Sequence, residues 1–169
     1  MRKLNLLFFG ILFLLLTNCN SDDEGTSQTT LSGFQAIIDE EIVNFDYTGG
    51  ASMNSNGRHL SIPGIDNEGN QINIFIGDTD MNAPILTEGT YTANSNNTIS
   101  FAIDAANTFP NTQVYTIGGN NGNGEIIIEE LDTASNIVTV RFSGTAGDSD
   151  GNTLILSDGI AEDITFENF

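Results

Sequence analysis

The chain has 169 residues but no tryptophan, a single histidine, a single cysteine and only four lysine or arginine residues, and each shortage removes a class of chemistry. One cysteine, Cys19, excludes an internal disulfide. One histidine, His59, cannot complete a zinc site or a nucleophile relay, and any acyl-transfer serine would have it alone as a base. No catalytic residue is therefore expected, and His59, beside Arg58, reads as a surface or edge residue. The missing tryptophan removes the ring that most often stacks on sugars. Tyr47, Tyr91 and Tyr115 are left as substitutes, each expected to pack at a strand end. Pairs of carboxylates at glycosidase spacing arise by chance among 23 acids and decide nothing. The longest apolar run, Leu4 to Leu16, spans roughly 20 Å as a helix. That is short of the ~30 Å hydrocarbon core of a bilayer, so no permanent transmembrane helix is expected.

What that run does resemble is a secretory signal, since Arg2 and Lys3 precede it and hold its start on the cytoplasmic side. It ends in Leu16-Thr17-Asn18-Cys19. This quartet resembles the lipobox of bacterial lipoproteins, although Asn18 stands where a smaller residue is usual. The resemblance implies diacylglycerol on the Cys19 sulfur and cleavage just before it. The following Asn20-Ser21-Asp22-Asp23-Glu24 resembles the acidic export signal of Bacteroidota surface lipoproteins, which implies display on the outer face of the outer membrane, with the periplasmic face as the alternative. Gly25 to Ser32 continues as a Ser/Thr/Gln tether. An ordinary signal peptide and a merely solvated linker are the plainer readings of the two segments.

Cleavage would leave 151 of the 169 residues, enough for one core. Arg58 and Arg141 would then face all 23 acids, a net charge of −21 with no lysine. Such a surface repels nucleic acid and anionic headgroups and favours cations, cationic partners or neutral ligands. Secreted and surface proteins from salty habitats are commonly acidic, which accounts for the same charge without any ligand.

From Gly33 the apolar period is two. Phe34, Ala36 and Ile38 alternate, as do Val43, Phe45 and Tyr47 after the polar step Asp39-Glu40-Glu41, which predicts a hairpin. Leu60 and Ile62 precede Pro63, and the turn Asp66-Asn67-Glu68-Gly69-Asn70 leads into Ile72, Ile74 and Ile76. Further strands are predicted over 90–93, 99–103, 113–117, 125–131, 137–142, 153–157 and 160–166. No helical stripe interrupts them. The predicted fold is all-β, an antiparallel β-sandwich with a closed or partly open barrel as the alternative. The expected organisation is a signal peptide over 1–18, a lipidated cysteine with its tether over 19–32 and one β-domain over 33–169.

Phe34-Gln35-Ala36-Ile37-Ile38-Asp39, Gly89-Thr90-Tyr91, Ser143-Gly144-Thr145, Asp150-Gly151-Asn152 and Ser157-Asp158-Gly159 together resemble a group of uncharacterised Bacteroidota surface lipoproteins over most of the domain. Ile160-Ala161 departs from that group's closing pattern, in which a Phe is frequent. The resemblance implies a compact β-domain of unknown function and brings no catalytic residue with it.

Three acidic loops are candidate calcium sites, because a hard cation needs six to eight oxygens. Asp78, Asp80 and Asn82 alternate as at the start of a calcium loop, but Ala83 and Gly89 occupy the positions of its glycine and bidentate glutamate, which excludes an EF-hand. Asp66–Asn70 and Asp148–Asn152 resemble each other, and a plain hairpin turn is the alternative for both. Gly118 to Gly124 has no Gly-Lys-Ser/Thr and reads as a loop rather than a phosphate cradle. Asp132-Thr133-Ala134 resembles the O-glycan acceptor of exported Bacteroidota proteins, which marks Thr133.

Two classes of function remain. One is a lipid-anchored binding module for an extracellular glycan or peptide, perched beside an outer-membrane partner protein. The other is a structural envelope protein without a soluble ligand.

Overall fold

A computed structural model describes residues 33–47, 50–78, 80–103, 113–119 and 122–169. The described residues form thirteen strands and no helix. In chain order these are β1 (Phe34–Ile38), β2 (Glu41–Asn44), β3 (Asp46–Tyr47), β4 (Ser52–Met53), β5 (His59–Ile65), β6 (Gln71–Gly77) and β7 (Gly89–Thr92). They continue as β8 (Thr98–Ile103), β9 (Gln113–Ile117), β10 (Asn123–Asp132), β11 (Ile137–Gly147), β12 (Thr153–Thr165) and β13 (Glu167–Asn168). All belong to one sheet with the order β13-β4-β5-β6-β8-β9-β11-β12-β1-β2, while β10 pairs with β11 and carries β7 on its other edge. Only β13 and β4 run parallel among these pairs.

The period of two is the period of burial. Leu60 and Ile62 of β5 and Ile72, Ile74 and Ile76 of β6 are fully enclosed, and their sequence neighbours face outward. Pro63 lies within β5, not at its end. It sits where the partner changes, between Leu60 and Ser61, which pair with β4, and Gly64 and Ile65, which pair with β3. A residue with no N–H is tolerated at such a break in a ladder.

The all-β class is as expected, and the architecture is one strongly curled sheet, a half-barrel, rather than two facing layers. Bulges supply the curl by adding twist locally. The segments expected as two strands, 153–157 and 160–166, are the single strand β12. Asp158-Gly159 forms a bulge within it instead of a turn, because β1 and β11 both continue their pairing past the irregularity. Asp158 and Asp163 carry φ of 48° and 53°, and the Asp163 N–H donates to Thr139 Oγ1 at 3.1 Å. At Phe45 the chain passes from the edge of β1 to that of β5, since β2 pairs with the first and β3 with the second. Phe45 is buried, donates its N–H to Phe34 O at 2.8 Å and packs against the rings of Phe34 and Phe101. It ties one flank of the curl to the other.

Candidate functional site

Cys19 and the stretch Ser21, Asp22, Asp23 and Glu24 lie outside the described residues. Thr133 is exposed in the tight β10–β11 turn, where Asp132 Oδ1 accepts from the N–H groups of Ala134 and Ser135 at 2.8 and 3.0 Å. Those bonds, with the Ser135 side chain foremost, hold the Asp132 carboxyl below its usual range. His59 opens β5 on its outward face, half-buried, and is stacked on Phe75 of β6 at 5.6 Å.

The two similar acidic loops are one structure used twice. In each the leading Asp N–H donates to the closing Asn carbonyl, at 3.0 Å for Asp66–Asn70 and 3.1 Å for Asp148–Asn152. Oδ1 of each Asp accepts backbone N–H bonds from two and four residues on, and Oδ2 accepts the Asn amide at 2.7 Å. Gly69 and Gly151, with φ of 89° and 88°, supply the left-handed residue that a three-residue hairpin loop requires. Asp148 Oδ2 also accepts from Gln113 Nε2 at 2.8 Å. The side-chain bonds from Asn152 and Gln113 lower its pKa to about 2. These carboxylates are engaged in building turns. Gly147-Asp148-Ser149-Asp150-Gly151 also spells Gly-x-Ser-x-Gly, yet it forms a strand-to-strand tip and not the strand-to-helix elbow of a nucleophile.

Asp78, Asp80 and Asn82 stand elsewhere, on one wall of a cleft of about 480 Å³. Asp78 Oδ1 accepts from Asp80 N–H at 2.9 Å, and Asp80 Oδ1 accepts from the Asn82 N–H and Nδ2 at 2.9 and 3.1 Å. The wall is pinned from behind. Leu86 is buried and donates its N–H to Gly57 O at 2.7 Å, and Arg58 Nη1 donates to Ala83 O. Gly77 begins the loop with φ of 87°, and a Cβ there would fall 2.1 Å from Arg58 O. Only glycine fits both demands.

The opposite wall is the turn Asn94–Asn97. Asn94 Oδ1 accepts the N–H groups of Asn96 and Asn97 at 2.7 and 3.0 Å. Asn97, 9% exposed, accepts from Gly77 N–H at 2.9 Å and donates to Thr92 O at 3.1 Å, stitching the end of β6 to the end of β7. Across the cleft Asn96 Nδ2 donates to Asp78 Oδ2 at 2.8 Å. Tyr91 completes the lining, its hydroxyl held twice by one residue: it accepts from Thr87 N–H at 3.0 Å and donates to Thr87 O at 2.7 Å. Tyr91 is thus a wall of a cavity as well as a packed strand residue, whereas Tyr115 is buried in β9.

The cleft falls within the ~300–1,000 Å³ range of small-molecule sites. Among the described residues no three His, Cys, Asp or Glu side chains converge as metal ligands. The pairing of Asp78–Asn82 with Asn94–Asn97 was not legible in the sequence, because it depends on β8 pairing antiparallel with β6, so that the turn before β8 meets the loop after β6; the two polar clusters themselves were the available signal. Neither family models nor curated proteins nor solved structures provide a match to this chain.

Proposed function

We propose that the protein is an outer-membrane lipoprotein, anchored through acyl chains on Cys19, that displays its β-domain as a binding module for an extracellular ligand. The observation that carries the binding role is the cleft beside Tyr91, whose polar side chains are fixed before any ligand arrives. Preorganised groups lose little entropy on association, which suits capture. The N-terminal residues supply the address. Binding is favoured over catalysis because both carboxylates of the cleft are committed to local N–H and amide donors, and His59 is stacked on Phe75.

Protease treatment of intact cells tests the address. The natural protein is expected to be degraded, while a variant with alanine at Ser21, Asp22, Asp23 and Glu24 survives until lysis. Survival of both would place the domain on the periplasmic side and favour the structural envelope role.

A further inference from the structure

The chemistry of the cleft selects among ligands, and on the reading that it is a binding site we infer that it takes a neutral, polyhydroxylated ligand, a short stretch of uncharged polysaccharide. The first argument is the balance of its polar groups. Four asparagines line it against two carboxylates, and none of the lining residues is basic. Amides both donate and accept, as do hydroxyls, so a row of asparagines matches vicinal diols, whereas an ionic ligand calls for opposite charge.

The second argument is what the carboxylates already do. Asp78 receives the Asp80 N–H and the Asn96 amide, and Asp80 receives two donors from Asn82. Their charge is thereby partly satisfied inside the protein, and a cationic ligand would have to displace these donors. An anionic ligand is excluded by Asp78 and Asp80 themselves and by the acidic surface around them. The remaining capacity includes the Nδ2 of Asn94 and the Oδ1 of Asn82, which no bond among the described residues uses, on opposite walls.

The third argument is apolar. Ile85 lines the same cleft while 61% exposed, next to Pro84, and Tyr91 is its single aromatic among the described residues. Sugar rings present C–H faces alternating with hydroxyl edges, and that pattern fits an aliphatic and aromatic platform flanked by amides.

The test uses the full lipidated chain in a detergent without a sugar headgroup. Neutral gluco-, manno-, galacto- and xylo-oligosaccharides are titrated by calorimetry, with hydrogen exchange to locate the contact; a lysine-rich peptide and a neutral peptide serve as comparisons. At least one saccharide series is expected to bind and to protect residues 80–97. Asn82→Ala, at an exposed position, is expected to weaken it about three- to tenfold by removing one hydrogen-bonding side chain. Ile155→Ser, on the outer face of β12, should leave it unchanged. Binding of a peptide but of no saccharide at 80–97 overturns this inference and leaves the binding module intact. Silence from every probe overturns both.

Discussion

Asp148 is, among the described residues, the one whose ionisation the fold alters most. Its carboxylate is stabilised by the Asn152 amide first and Gln113 second, and its pKa falls to about 2, against about 3.9 for an unfolded aspartate. Between those values the unfolded chain binds more protons than the folded one, so the contribution is complete above about pH 4 and is lost as pH falls toward 2. Asp148→Asn removes it, so the difference in melting temperature between the natural protein and the variant should be largest at pH 5 or above and shrink steadily below pH 4. A difference independent of pH would mean that shape rather than charge matters at this position. Gly77 is constrained by space as well as by φ. Gly77→Ala should cost at least about 2 kcal/mol in urea unfolding, since the methyl would meet the Arg58 carbonyl and the left-handed conformation is strained for alanine. The Asn97 bond to Gly77 N–H also predicts that this variant loosens the cleft.

Among the elements, the β1–β2 hairpin has an unexpected turn. Asp39 and Glu40, with φ of 47° and 73°, form a two-residue loop of the kind that favours Asn-Gly. Asp39 is held by Ile155 of β12, whose N–H donates to its Oδ1 at 2.9 Å and whose carbonyl accepts its N–H at 3.0 Å. Glu40 has no comparable anchor among the described bonds. Glu40→Gly should therefore raise stability by about 0.5–1 kcal/mol, the relief of left-handed strain less the added entropy of glycine when unfolded. Denaturant midpoints at an unchanged slope would show it. The acidic hairpins at Asp66 and Asp148 were legible as turns because their Gly and Asn positions carry the required conformation locally. The continuity of β12 was not legible, because Ser157-Asp158-Gly159 has turn composition and only partner strands on both sides hold it extended.

At the scale of the molecule, the acids are spread over a curled sheet with few cations to offset them. Arg141 pairs with Glu129 at 2.7 Å, but both are exposed, and such a pair contributes little. Self-repulsion then dominates. Raising sodium chloride from about 0.01 M to about 1 M shortens the screening length from ~30 Å to ~3 Å and should raise the melting temperature by a few degrees. Choline chloride should act equally if screening is the cause; a rise confined to sodium, or to calcium at millimolar levels, would instead point to an ion bound in one of the acidic loops.

The sequence by itself determined the all-β class, most strand positions, the hairpin turns and the acidity, because alternation, glycine placement and charge act over a few residues. Tertiary structure alone decided that the strands make one curled sheet and that Asp78–Asn82 faces Asn94–Asn97 across a cleft beside Tyr91. Both outcomes depend on register and bulges between strands distant in the chain. A shift of one residue in that pairing would carry the side chains of the shifted strand to the other face and move the loop at its end away from its partner.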